Sequence, residues 1–249
     1  MREGNWMNLL LGCCLAVTPG IGAASAASAA SAASAALAGV PTATAAADPP
    51  TADWRATVRQ LAREHFKNPA WGYSHSERDY ALARRLAASD HVALDDDVLY
   101  AASYLHDLAA FPPWGGDEPP DHSDVGADTV EELLQGTGFP MQKLDAVRAA
   151  IRTHMYYRDP IAPEAVYLHD ADALDWLGAI GVARIIALVD PNGGDPDGPK
   201  AVKMLQDNLR QVPSRVVSPA GRAMVGQRKL EMERFLKDLG NESADYRSL

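Results

Sequence analysis

Cysteine is nearly absent from this 249-residue chain: there are two, Cys13 and Cys14, and both fall within the first fifty residues. Beyond that segment no thiol is available as a nucleophile, a metal ligand or half of a disulfide. Positive charge is also scarce, with 23 Lys and Arg against 33 Asp and Glu and a formal net charge of −10. Such a surface repels phosphate backbones and anionic membranes, and no local basic patch offsets it, which argues against a nucleic-acid partner. No run of about 18 apolar residues follows the N-terminal region, so no membrane span is expected there. Sustained period-two alternation, the signature of half-buried strands, is missing as well.

The first fifty residues differ from the rest. MREGNWMN carries one basic residue, LLLGCCLAVTPGIGA is apolar, and ASAASAASAASAALAG repeats small residues that offer several Ala-x-Ala cleavage sites. The expectation is a secretory signal and Ala/Ser-rich linker over residues 1–50, a domain over 51–240 and a tail over 241–249, hence a periplasmic or secreted protein. A cytoplasmic extension is the alternative. Leu10-Leu11-Gly12-Cys13 has the look of a lipoprotein cleavage box, but only three leucines precede Gly12, a short apolar stretch for that role.

From about residue 52 to 240 apolar residues recur at helical spacing. Ser74 and Ser76 are candidate caps of a helix through Ser89, with Tyr80, Ala83, Leu86 and Ala87 on one face. Asp95 to Asp97 suit the positive end of a helix running through Leu105. Residues 112–121 are dense in Pro and Gly and form a loop, after which Asp124 or Ser123 caps a helix through Leu134. Further helices are expected over 141–156, from 164 into 188, over 200–210 and over 220–239, with a break at 190–199. The fold class is therefore expected to be all-α.

Titratable residues stand at the ends of these elements or along an apolar helix: His75, His106 with Asp107, His122, His154, and Asp170 and Asp172 in HDADALD. A histidine by itself is more often a satisfied structural residue than a ligand. The adjacent pair in YLHDLA differs. Burying His106 and Asp107 beside Leu105 and Leu108 is costly without a partner. On a helix their side chains would point about 100° apart, so they reach one ion only from a helix end. Imidazole and carboxylate without thiolate suit Mn²⁺, Fe²⁺, Ni²⁺, Zn²⁺ or Co²⁺, with Mg²⁺ less favoured by so many histidines.

WGYSHSERDYALARRLA, LYAASYLHDLA, DHSDVGADTVEELL, AIRTHMYY and YLHDADALDWLGAIGVARI, in that order, resemble the signature blocks of the HD-domain metal-dependent phosphohydrolase superfamily, over roughly residues 54 to 240. The fifth block is similar to the DADxLDxxGAIGxAR of small bacterial HD hydrolases. The resemblance implies an HD-domain helical bundle in which His75, His106, Asp107 and Asp172 hold one metal. Asp172 is preferred to Asp170 because it follows an alanine, Ala171. His122 and His154 match the places where binuclear relatives hold a second ion, with Asp107 bridging; with one ion only, His122 would contact substrate or act as general acid and His154 would bind phosphate.

The activity so implied is hydrolysis of a phosphate ester or anhydride of a nucleotide or other small molecule, by water that the metal acidifies. His106, Asp107, Arg78, His122 and His154 form the candidate catalytic group. Arg78, Arg152, Arg158 and Arg184 are candidates to neutralise substrate charge. Arg78 lies one turn from His75. An unbroken helix would put Arg184 ~18 Å along the axis from Asp172, a place for a distant phosphate or a structural ion pair. Asp170 and Asp175 are candidates to orient the ligands from behind. Trp71, Trp114, Tyr156 and Tyr157 could stack on a base, although such aromatics are more often core, and Asp117 and Glu118 read as part of a solvated lid. LAAFPP after Asp107, and the lack of a Gly-Tyr-Pro block, depart from relatives that cleave cyclic dinucleotides and argue against that activity. Two other readings keep the metal: an HD-like di-iron oxygenase, and a non-catalytic metal-stabilised binding module.

Overall fold

Every regular element among the described residues, which are 53–115, 121–189 and 198–249 of a computed structural model, is helical. The order is α1 Trp54–His65, α2 Tyr73–Ser89, α3 Asp96–Leu105, α4 His122–Leu134, α5 Leu144–Arg152, α6 Pro163–Asp175, α7 Gly178–Ile186, α8 Gly198–Gln211 and α9 Pro219–Glu242. The fold is all-α, as its hydrophobic periodicity requires. The N-terminal signal and linker, the lid residues Asp117 and Glu118, and most of the 190–199 break lie outside the described residues.

Acidic caps start several helices. The Asp95 carboxylate accepts the backbone N–H groups of Asp97 and Val98, which satisfies donors that the first turn leaves without a helical partner. Lys143 Nζ lies 2.8 Å from both Asp95 and Asp97, and Arg55 grips Asp96 and Asp97 at 2.6 Å each. The α4 cap is Asp121 rather than Ser123 or Asp124: its carboxylate accepts from the Ser123 N–H. Ser74 and Ser76 lie inside α2, whose cap is Gly72. The helix expected over 141–156 is shorter, because a 3₁₀ turn at Met141–Lys143 precedes α5 and the chain leaves the helix at Thr153. That exit frees His154 from helical geometry.

The largest departure from expectation is the helix drawn from 164 into 188. It breaks after Asp175: Leu177 is extended at φ −117°, ψ 164°, and Gly178 takes φ +68°, a left-handed conformation that favours glycine. At Gly181 a Cβ would stand 2.3 Å from the Trp176 carbonyl oxygen, so α7 can fold back close against the end of α6 only without a side chain there. Arg184 therefore returns to within 3.2 Å of Asp175 instead of standing about two and a half turns away.

The core surrounds α6. Its residues Tyr167 to Asp175 are all buried, and it packs against α2, α3, α5, α7 and α9. Leu99, Leu105, Leu108, Ile151, Leu168 and Leu174 are fully enclosed, each contributing roughly 1.5–3 kcal/mol through removal of apolar surface from water. The low hydrophobic asymmetry of α6 follows from this position, since a helix surrounded on all sides has no solvent face. Buried Asp170, Asp172 and Asp175 on such a helix need partners.

Gly181→Ala is expected to destabilise the chain by about 1–3 kcal/mol, the usual cost of forcing a methyl into a packed interior. Chemical denaturation should show a lower midpoint at unchanged slope; an unchanged midpoint would mean that the α6–α7 turn relaxes without cost.

Candidate metal centre

Three helix ends and two helix faces converge at the centre of the bundle. His75 sits in the first turn of α2, His106 and Asp107 just beyond α3, His122 at the start of α4, His154 just beyond α5, and Asp172 on the inner face of α6. None of these six side chains is more than 6% exposed. Because α3 ends at Leu105, with Asp107 at φ −94°, ψ 11°, the two adjacent residues escape helical divergence and their side-chain polar atoms come to 3.3 Å.

Asp107 divides the cluster. Its Oδ2 lies 3.3 Å from His106 Nε2 and 3.7 Å from His75 Nε2, while its Oδ1 lies 3.3 Å from His122 Nε2 and 3.5 Å from His154 Nε2. On the first side Asp172 Oδ1 joins at 3.2 Å from His75 Nε2. Donors held ~2.1 Å from one ion stand about 3.0–3.4 Å apart at octahedral to tetrahedral angles. Three of the five separations fall in that range, and those of Asp107 to His154 and to His75, at 3.5 and 3.7 Å, lie just beyond it.

The proton positions also point inward. His75 Nδ1 is 2.9 Å from Asp175, His106 Nδ1 is 2.9 Å from the Ser103 carbonyl and His154 Nδ1 is 2.6 Å from the Ile151 carbonyl. In the neutral form that a bound cation would require, a proton on Nδ1 lets each ring donate outward and turn an Nε2 lone pair toward the centre. The lone pairs of His75 and His106 then face each other at 3.2 Å, as do those of His122 and His154. Two facing lone pairs repel; a cation between them removes the conflict. Buried and without any hydrogen-bond partner are Asp172 Oδ2 and both oxygens of Asp79. These residues fit one divalent ion on each side of Asp107.

The electrostatics agree. Burial would push the Asp107 carboxyl up, but the imidazoles of His106, His122 and His154 hold it well below the usual carboxylate range. Burial pushes His154 down, keeping it neutral. At His75, burial and the Arg184 charge push down, yet Asp79 and the hydrogen bonds to Asp172 and Asp175 lift the imidazole to about 10. Burial lifts the Asp79 carboxyl, and the carboxylates of Asp175 and Asp172 add to that. The cluster is thus short of positive charge.

Asp175 supports His75 from behind. Besides His75 Nδ1 it accepts from Arg78 Nε and Nη2, the latter at 2.8 Å, and from Arg184 Nη1 at 3.2 Å. Three positions after Asp172, it shares the same helix face. Asp170, two positions before, points elsewhere, since two residues turn a helix by about 200°. Its oxygens accept the backbone N–H groups of Val217 and Ser218 at 2.8 and 2.6 Å. The expected support of the ligands by Asp170 is therefore corrected: it anchors the segment entering α9.

All four arginines proposed for substrate charge are engaged by the protein's own carboxylates. Arg78 and Arg184 hold Asp175, Arg152 holds Asp124 and Asp128, and Arg158 holds Asp121 and Asp124. Arg184 also donates to the Ala70 carbonyl and lies 3.6 Å over the Trp176 ring, which makes it a structural ion pair. Trp71 is core, at 7% exposure. Trp114 packs edge-on against His65 with ring centroids 5.0 Å apart, and Tyr156 and Tyr157 pack edge-on with each other at 5.4 Å. The Tyr157 hydroxyl donates to Asp121 at 2.6 Å. Two residues of the centre were missed by sequence reasoning. Asp79 carried a usable signal, lying four residues after His75 on the same helix face; Asp121 carried one only as a helix cap.

A buried centre of four histidines bridged by one aspartate, set in a helical bundle, defines a class of metal-binding proteins. A family model described as HD domain matches residues 72–177. Solved structures agree in fold. Bacillus subtilis YpgQ in complex with ADP is similar at 20% identity and a TM-score of 0.58, covering 76% of this chain and 97% of that one. A protein described as a predicted HD superfamily hydrolase, from an uncultured Thermotogales bacterium, shares 24% identity with a TM-score of 0.53 and covers 76% and 91%. An HD-superfamily hydrolase from Bacillus thuringiensis shares 20% identity with a TM-score of 0.53, covering 76% and 94%. No curated protein matches the sequence. Among the described residues no helix is long and apolar enough to cross a membrane.

Asp175→Asn should weaken binding of a divalent ion roughly 10–100-fold, the usual effect of losing a carboxylate behind a ligating histidine. Competition against a metallochromic chelator measures it; wild-type affinity in the variant would show that Asp175 serves Arg78 and Arg184 alone.

Proposed function

We propose that this chain is a metal-dependent phosphohydrolase acting on a phosphate ester or anhydride of a small molecule, a nucleotide being the leading class. The observation that carries the reading is the two-sided Asp107 carboxylate, with one oxygen toward His75 and His106 and the other toward His122 and His154. His75, His106, Asp107 and Asp172 would hold one divalent ion, and Asp107, His122 and His154 a second. Two such ions together supply Lewis acidity toward phosphoryl oxygens and a water acidic enough to ionise near neutral pH.

The chain's own residues do the rest. Asp175 and the Ser103 and Ile151 carbonyls lock three imidazole rings so that their Nε2 atoms stay aimed inward. Leu105 and Leu108, the sequence neighbours of His106 and Asp107, are fully buried, and such apolar surroundings lower the local dielectric and strengthen each charge interaction. Asp121 at the head of α4 accepts from Tyr157 and from Arg158, fixing the turn that presents His122. That the similar Bacillus subtilis YpgQ was solved with ADP supports the nucleotide class. A chain of net charge −10 can attract an anionic substrate only where bound cations reverse the local sign. Mn²⁺, Fe²⁺, Co²⁺, Ni²⁺ and Zn²⁺ all suit the imidazole–carboxylate donors. Export to the periplasm or medium, read from the first fifty residues, belongs to the same proposal.

Six ligating residues, one of them a bridging carboxylate, also suit two irons and oxygen chemistry, and the two are separable. Metal-stripped protein should lack phosphatase activity on a panel of nucleotides, pyrophosphate and simple esters, and recover it with Mn²⁺, Ni²⁺ or Co²⁺. The double substitution His106→Ala with Asp107→Ala should lower that activity at least ~10³-fold, as loss of an electrostatic centre does; undiminished hydrolysis would end the assignment. Oxygen consumption dependent on iron, without phosphate release, would favour the oxygenase, and tight metal with no turnover the binding module.

A further inference from the structure

Asp79 is the one acidic side chain of the centre to which the ligand set above gives no task. It is fully buried, at 0% exposure, and neither carboxylate oxygen has a hydrogen-bond partner. One turn along α2 from His75, it places Oδ2 3.2 Å from His75 Nε2 and 3.7 Å from His106 Nε2. One of its oxygens, with ring nitrogens of His75 and His106 and an oxygen of Asp172, belongs to a set whose members all lie within 4.8 Å of one another, while Asp107 falls in a second such set with His106 and His154. A buried carboxylate has strong reason to find a donor or a cation. No donor reaches it except the two imidazole edges already turned toward the centre.

We propose that Asp79 is a metal ligand, completing with His75, His106, Asp107 and Asp172 a five-donor position on one side of Asp107. The inference rests on the metal-centre reading above and deepens it. Three carboxylate oxygens and two imidazole nitrogens make an oxygen-rich position of high coordination number, which suits Mn²⁺ or Fe²⁺ better than tetrahedral Zn²⁺. The opposite position has three donors, Asp107, His122 and His154, the number that leaves coordination open for water or substrate. His122, at 6%, is the most exposed of the four imidazoles, although His154 on the same side is fully buried like His106. The Asp79 side is thus the tight, structural position, and the His122 side the exchangeable one.

The test is calorimetric titration of Mn²⁺ into the metal-free full-length chain, its Asp79→Leu variant and its Asp79→Asn variant, with thermal unfolding of each metal-free form. The wild type should bind two ions of unequal affinity. Asp79→Leu should weaken the tighter one at least ~10-fold, more than loss of an orienting partner does, leave the weaker one unchanged, and leave the metal-free protein as stable or more so. Asp79→Asn, which keeps the shape and one oxygen but not the charge, should fall between and decides the matter if the leucine variant does not fold. Wild-type affinities and stoichiometry in the folded variants would overturn the assignment of Asp79 while leaving the metal centre intact. A wild-type chain that takes up no Mn²⁺ would overturn the centre itself, and this inference with it.

Discussion

One carboxylate organises this molecule. Asp107 faces two histidines with each of its oxygens, and the elements that carry those histidines are the ones that make the domain: α2, the ends of α3 and α5, and the start of α4. Three further carboxylates, Asp79, Asp172 and Asp175, are buried around it. Two like charges within 4.8 Å, the limit within which the Asp79 and Asp172 oxygens lie, repel by roughly 3 kcal/mol even at an effective dielectric near 20. Cations would balance such a cluster; without them protons must, which is the direction in which Asp79 and His75 are both shifted. The fold and the metal chemistry are in this sense one constraint.

The two sides of Asp107 are unequal. Behind His75 stands a charged scaffold in which Asp175 is held by Arg78 and by Arg184, itself placed by the α6–α7 reversal. Behind His106 and His154 stand only backbone carbonyls. Near His122 the Asp121 carboxylate gathers Tyr157 and Arg158. A rigid, acid-rich side and a less enclosed side with fewer donors are the arrangement expected when one ion is kept and the other meets substrate.

Much of this was legible in the sequence because helix ends and metal ligands have local signatures. YLHDLA puts two titratable groups where an apolar helix stops, and the helix does stop there, at Leu105. The preference for Asp172 over Asp170 agrees with geometry, since Asp172 faces His75 at 3.2 Å and Asp170 binds the backbone before α9. What escaped was long-range. Apolar periodicity runs through Trp176 and Leu177 without a break, so the reversal is visible only in the glycines, whose left-handed φ at Gly178 and close approach at Gly181 require the tertiary fold to interpret. Local spacing makes the arginines candidates for a phosphate, with a structural ion pair the other reading of Arg184, but it does not say which distant carboxylates will claim them. Asp79 stands outside the pattern of His, His-Asp and Asp, which is complete without it.

The central claim is that Asp107 stands between two bound ions. Anomalous diffraction from crystals of the chain equilibrated with Mn²⁺ tests it most directly. The account predicts two peaks flanking the Asp107 carboxylate, one among His75, His106 and Asp172 and one between His122 and His154. Mn²⁺ bound elsewhere, with both flanks of Asp107 empty, would contradict it.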